Sequence, residues 1–219
     1  GENQAIFASK GSIMYTIRGE GNAAHSSMPE QGINAIMTAA DFIHDTQRDF
    51  DAITNDPACH NDELGATLNV FSVIEGGRQF NSVPDHVVMK GNARTVPEYD
   101  SARAVELLQK NVDANNENPE NATLTLELNQ VLDAAQAKKD TALIRALKEA
   151  GKDKNVQVRP LIGTCELSRY IHLGDVELVV YGPGLTKMAH KIDEYIEIDE
   201  YEDTIRIFKD TAVAFTESK

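Results

Sequence analysis

The chain has 219 residues, of which 41% are hydrophobic and 26% are charged, a composition typical of a soluble globular protein with one large or two small domains. Its formal net charge of −14 repels nucleic acid and anionic lipid, so we exclude nucleic acid and membrane as partners. The sequence has no apolar run of membrane-spanning length, no signal peptide and no disulfide framework, and it therefore predicts a cytoplasmic protein.

The segment from residue 10 to residue 130 is predicted to be an α+β domain. Alternation of apolar and polar residues, or helical spacing of apolar ones, predicts strands at residues 11–19, 66–75, 86–96 and 123–128, a helix ending near Phe50 and a helix capped by Asp100. Ile33, Ile36, Met37, Ala40 and Ile43 recur at the spacing that predicts the first helix. The order of these strands and helices along the chain predicts a ferredoxin-like βαββαβ sandwich, with a four-stranded antiparallel sheet and two helices on one face.

Residues 131–219 are predicted to alternate helices and strands. The expected elements are a helix capped by Asp140 and ended by Gly151, a short helix after Gly163, a strand at 177–181 and a final helix capped by Asp199. The final helix carries one apolar face, formed by Tyr201, Ile205, Phe208, Ala212 and Phe215. So short a segment cannot cover both faces of a sheet, which predicts an incomplete α/β portion.

His25 lies among small residues in the loop GEGNAAHSSMPEQGIN. Glycines and small neighbours favour a loop from which an imidazole projects, and such a ring can donate a hydrogen bond to developing negative charge. From local composition alone, an exposed histidine without a role is the more frequent case.

Three further residues are candidates for binding. Asn81, in the motif NSVPD, is typical of a local side-chain-to-backbone bond. Arg94 lies on a predicted strand. It either binds a carboxylate through two hydrogen bonds or is a solvated charge at the edge of the sheet. His190 follows a Gly-Pro-Gly turn, a position that suits a ligand site, but a zinc ion needs three or four protein ligands.

Together these segments resemble the zinc amidohydrolase and exopeptidase family of succinyl-diaminopimelate desuccinylase, acetylornithine deacetylase, aminoacylase and glutamate carboxypeptidase. The stretch 19–35 resembles the family's lid motif, and NSVPD followed by Arg94 resembles its second lid motif. Gly163-Thr164 resembles a substrate-binding turn, and Ala189-His190 resembles the last metal-ligand motif.

The resemblance implies that residues 10–130 are the lid domain of a homodimer and that 131–219 are the C-terminal part of a zinc catalytic domain. It implies two zinc ions, or cobalt or manganese in their place, which activate water and polarise an amide carbonyl. It implies that His25 donates a hydrogen bond to the oxyanion across the dimer, with help from Asn81. It implies that Arg94, Gly163 and Thr164 bind the substrate and that His190 binds a metal ion.

The family's His-x-Asp, bridging Asp and Glu-Glu residues precede its lid and are absent from this chain. We therefore expect a piece of a full-length hydrolase that cleaves an amide bond of N-acyl amino acids or small peptides, and expect this chain alone to be inactive. The alternatives are a dipeptidase of the same family and a non-catalytic dimerisation or binding module.

Overall fold

The computed structural model of the chain describes residues 2–185, 188–189 and 191–217. The strands are β1 (Gln4–Ser9), β2 (Ser12–Glu20), β3 (His60–Asn61), β4 (Gly65–Ala66), β5 (Leu68–Gly76), β6 (His86–Arg94), β7 (Thr123–Leu132), β8 (Ala135–Gln136) and β9 (Gln157–Leu161). The α-helices are α1 (Ala35–Thr54), α2 (Ser101–Asn116), α3 (Ala142–Ala150), α4 (Leu167–Tyr170) and α5 (Ile198–Glu217). In this described part, no helix is long and apolar enough to cross a membrane.

The chain forms two compact units, one of residues 10–134 and the other of residues 2–9 with the described residues after 134. In the first unit, an antiparallel sheet has the strand order β5-β6-β2-β7. With α1 after β2 and α2 after β6, this is the predicted βαββαβ order, and the α+β fold class is confirmed. The structure adds a short β3–β4 hairpin between α1 and β5.

The core of this unit lies on one face of the sheet. Alternation along β2 turns Ile13, Tyr15 and Ile17 inward, and all three are buried. Phe42 of α1 and Leu108 of α2 pack into the same cluster, so both helices cover one face of the sheet, as predicted. The cap of α2 is also confirmed, because the Asp100 side chain accepts a hydrogen bond from the backbone N–H of Arg103.

The apolar residues whose spacing predicted α1 face the core only in part: Ile33 and Ile43 pack against it. Ile36 and Met37 are exposed, at 37% and 58%, and Ala40 is exposed as well. The buried residues of the helix are Ala35, Thr38, Ala39, Phe42, Thr46 and Phe50. The physical reason is that small side chains let the helix lie close to the sheet, which leaves the larger apolar side chains near its start on the surface.

The second unit contains a three-stranded sheet in the order β8-β1-β9, with β1 parallel to β9 and antiparallel to β8. The sequence did not predict β1. The strand predicted at 177–181 is wrong, since this segment contributes only one bridge, between Val180 and Ile6.

The helix ends of this unit are partly as predicted. Thr141, rather than Asp140, caps α3 by accepting a hydrogen bond from the backbone N–H of Ile144. Gly151 follows the helix, as predicted. The last helix, α5, begins at Ile198, so Asp199 lies in its first turn and is not its cap.

The apolar residues whose spacing predicted α5 are not its buried residues. The buried residues are Thr204, Ile207 and Thr211, and Ile207 packs against Leu147 of α3. The predicted face is about half exposed, with 54% at Tyr201 and 49% at Phe208.

Candidate functional site

His25 lies in a loop that two backbone contacts hold closed. Asn22 and Ile33 exchange N–H to carbonyl hydrogen bonds of 3.0 and 2.9 Å at the base of the loop. Gly21 is required next to this bridge, because a methyl group there would overlap the carbonyl oxygen of Ile33. The loop is therefore a closed structure that starts at the end of β2 and ends at the start of α1.

The second contact joins the His25 loop to the NSVPD segment. The Ser26 N–H donates to the carbonyl oxygen of Asn81 at 3.1 Å, and the Val83 N–H donates to that of Ala24 at 2.8 Å. These bonds flank His25, which forms a bridge with Ser82. The two segments meet because β2 and β6 are neighbours in the sheet, and the structure therefore places His25 and Asn81 side by side.

The His25 side chain is exposed, and its Nδ1 atom is hydrogen-bonded to Ser27. The Ser27 hydroxyl oxygen lies 2.8 Å from Nδ1, and the Ser27 backbone N–H donates to Nδ1 at 3.2 Å. The Asn81 side chain is also exposed and makes no hydrogen bond within the described residues. Both polar groups are thus available to a ligand.

Two neighbours of this junction were missed by the sequence analysis. Ser27 belongs to the small residues around His25, and its spacing of two residues from the histidine was the available signal. Phe80 precedes Asn81 and is fully exposed. A bulky aromatic residue after Gly-Gly in a turn was the signal that could have identified it.

Asp85, the last residue of NSVPD, links this segment to β6. Its carboxylate accepts a hydrogen bond from Nδ1 of His86 at 3.1 Å, and this bond is the main reason that the pKa of Asp85 is lowered. The Asp85 carbonyl oxygen also accepts from the N–H of Gly21 at 2.8 Å. Asp85 therefore joins the start of β6 to the base of the His25 loop.

Arg94 lies at the opposite end of β6 from this junction. The strand begins at His86, which pairs with Glu20 next to the His25 loop, and ends at Arg94, which pairs with Leu68. With a rise of about 3.4 Å per residue, the two ends of β6 are roughly 27 Å apart. Within one chain, Arg94 is therefore far from His25.

The positive charge of Arg94 acts on a second cation, the buried Lys10. Lys10 is 3% exposed, and its pKa is lowered, first by burial and second by the charge of Arg94. Its Nζ donates to the carbonyl oxygen of Ala66. Lys10 and Arg94 therefore lie close enough at this end of the sheet for their positive charges to interact.

The remaining predicted site residues belong to the second unit. Gly163 and Thr164 lie in the turn between β9 and α4 and are half-buried. His190 lies outside the described residues. Among residues 2–185, 188–189 and 191–217, no three His, Cys, Asp or Glu side chains come together in a way that could hold a metal ion. The donor set of the described residues therefore does not make a metal site.

The chain is similar to several known proteins. The family model of the peptidase dimerisation domain matches residues 7–120. A probable succinyl-diaminopimelate desuccinylase of Staphylococcus epidermidis is 32% identical over 242 residues, covering 98% of this chain and 58% of that protein. An acetylornithine deacetylase of Myxococcus xanthus is 23% identical, covering 89% of this chain and 50% of that protein.

A solved structure shares the fold. The M20 family metallo-carboxypeptidase Sso-CP2 of Sulfolobus solfataricus superposes with a TM-score of 0.74 at 17% identity, covering 97% of this chain and 60% of that one. At this identity the match shows the fold alone. The chain spans between half and three fifths of the length of these proteins.

Proposed function

We propose, since this chain belongs to the peptidase dimerisation domain family, that it is part of a longer metal-dependent hydrolase acting on the amide bond of an N-acyl amino acid. The names of the two relatives, a desuccinylase and a deacetylase, support this substrate class. In this proposal, residues 10–130 are the lid and dimerisation domain, and residues 131–219 are the last part of the catalytic domain.

The observation that carries the proposal is the position of His25 and Arg94 at opposite ends of one sheet. A separation of roughly 27 Å is too long for one N-acyl amino acid to bridge. If both residues contact a single ligand, they must come from two copies of the chain. The proposed active unit is therefore a homodimer in which His25 of one copy and Arg94 of the other meet one substrate.

The surface that we propose for this dimer consists of β5 and the start of α1. β5 is an edge strand of its sheet, and a free strand edge can pair with the same strand of a second copy. Ile74 on β5 is 53% exposed, and Ile36 and Met37 on α1 are exposed as well. A side-chain carbon of Ile36 would lie 3.2 Å from a Cβ atom at Gly76, so Ile36 lies against the end of the edge strand.

The described side chains have distinct tasks in this proposal. Nε2 of His25 donates a hydrogen bond to the carbonyl oxygen of the scissile amide as that oxygen becomes negative, with Asn81 as a second donor. Arg94 holds the substrate carboxylate through two parallel hydrogen bonds. Gly163 and Thr164 contact the substrate from the catalytic domain.

The metal ions of the proposed enzyme are two zinc ions, with His190 as one ligand. Such ions supply an activated water and a polarised carbonyl when they are bound. Because the described residues do not make a metal site, the other ligands and the general base are assigned to residues outside this chain.

The test uses the protein encoded by the complete gene, loaded with zinc. His25→Ala should lower kcat by roughly 10²- to 10³-fold, the effect of losing one oxyanion donor, with zinc content unchanged. His190→Ala should lower zinc content itself. Turnover of succinyl-diaminopimelate, acetylornithine and dipeptides, compared side by side, identifies the acyl group and separates the proposed activity from that of a dipeptidase.

Subunit mixing tests the exchange of residues between copies. A His25→Ala variant mixed with a metal-ligand variant should regain activity, since each mixed dimer combines one intact His25 with one intact metal site. If the mixed dimers form and remain inactive, His25 does not act across the dimer. If His25→Ala alone costs less than a few-fold in kcat, the oxyanion role is wrong.

A further inference from the structure

The loop from residue 25 to residue 28 is a turn that directs a backbone N–H at the histidine ring. The N–H of Met28 donates to the carbonyl oxygen of His25 at 2.9 Å, which makes His25 the first residue and Ser27 the third residue of a β-turn. In this turn the Ser27 N–H points back to Nδ1 of His25 at 3.2 Å. The ring thus accepts a hydrogen bond from its own turn.

This contact determines which ring nitrogen carries the proton. A backbone N–H can only donate, so Nδ1 must present its lone pair. The Ser27 hydroxyl, 2.8 Å from the same atom, must then donate to Nδ1 as well. In the neutral ring the proton therefore resides on Nε2, which makes no protein hydrogen bond within the described residues.

We propose that Ser27 is a positioning residue that holds His25 in the Nε2–H tautomer, so that the ring offers a donor to a carbonyl oxygen gaining negative charge. The opposite tautomer would present a lone pair to that oxygen and repel it. The catalytic consequence rests on the proposed function, whereas the tautomer itself is a property of this chain.

The first experiment reads the tautomer without any substrate. A two-bond ¹H–¹⁵N correlation spectrum of the 219-residue chain, recorded where the His25 ring is neutral, should show Nε2 protonated and Nδ1 unprotonated. Ser27→Ala, which keeps the N–H and removes the hydroxyl, should increase the Nδ1–H population relative to Nε2–H by roughly two- to tenfold, the usual effect of one hydrogen bond. Ser27→Thr should restore the wild-type spectrum, and Ser26→Ala should leave it unchanged.

The second experiment measures the consequence in the protein encoded by the complete gene. Ser27→Ala should lower kcat in proportion to the Nε2–H fraction that the first experiment measures, by at most roughly two- to tenfold, with KM unchanged, and Ser27→Thr should recover it. A wild-type ring in the Nδ1–H form, or a tautomer ratio that Ser27→Ala does not alter, would overturn the proposal. If the spectra are as expected but His25→Ala leaves kcat unaffected, the tautomer assignment stands and the proposed oxyanion role fails.

Discussion

Replacement of Met37 by aspartate tests the proposed dimer surface. Met37 is the third residue of α1, and its N–H is bonded to the side chain of Asn34, the N-cap of the helix. A carboxylate in the first turn of a helix is favourable, because the unpaired N–H groups there carry partial positive charge. Met37→Asp should therefore leave the fold intact and change only what the surface binds.

The expected loss of affinity follows from the exposure of this side chain. Complete burial of a methionine side chain contributes about 1.5–3 kcal/mol, and 58% of the Met37 residue surface is still exposed in the single chain. A symmetric dimer buries two copies of Met37, one from each chain. The loss of both side chains should therefore weaken the dimer by about 2–3.5 kcal/mol. The dissociation constant should rise by roughly 30- to 300-fold.

Sedimentation velocity of the 219-residue chain over a range of concentrations measures this change. Met14→Asp is the matched control, since Met14 is 45% exposed on β2, on the sheet face opposite the helices. It should dimerise like the wild type. The reasoning is refuted if Met37→Asp dimerises as well as the wild type, if the wild-type chain stays monomeric at every concentration, or if only Met14→Asp dissociates, which would place the interface on the open sheet face.

Three further predictions concern the core and the activity of the chain. Gly91→Ala should destabilise the sheet unit by about 1–3 kcal/mol in chemical denaturation, because the added methyl overlaps the buried Tyr15 ring; Gly182→Ala, which meets open space in the described part of the chain, should have little effect. Burial raises the pKa of Tyr15 well above its usual value of about 10, so the folded state keeps this proton when the unfolded state loses it. Stability should therefore fall as the pH rises above about 10, and Tyr15→Phe should flatten this dependence in pH-resolved denaturation curves. The purified 219-residue chain with zinc should show no amide hydrolysis in a colorimetric amine assay, and zinc-dependent turnover by this chain would contradict the assignment of the general base to other residues.

The strands of the first unit could be predicted because each has one buried face. Ile13, Tyr15 and Ile17 are buried, while Met14 and Arg18 between and beside them are exposed. Thr16 departs from this alternation, because it is buried and its hydroxyl donates a hydrogen bond to Asn129. In contrast, β1 has no polar alternation, since the residues from Ala5 to Ser9 are all buried. Its partner β9 comes about 150 residues later in the chain, and so distant a pairing leaves no local signal.

The candidate site could be predicted only as separate motifs. Local composition drew attention to His25 and Asn81, but their contact depends on the register of β2 and β6, with Glu20 opposite His86. The same register places Arg94 at the far end of the sheet, which no spacing in the sequence indicates. The bond from Ser27 to His25 depends on a turn whose geometry several other tetrapeptides could also adopt.

On α1 and α5, most of the apolar residues that predicted the helix are not the ones that the core buries, and on α1 this bears on function. Helical spacing of large apolar residues predicts which side of a helix is covered in the final assembly, but not by what. On α1 the unit's own core takes mainly small residues such as Ala35 and Ala39, while Ile36 and Met37 remain exposed beside an edge strand. Exposed apolar side chains beside a free strand edge are a candidate interaction surface. The exposure of Ile36 and Met37 beside the edge strand β5 therefore supports the proposed dimer surface without reference to the family, and Met37→Asp tests that surface.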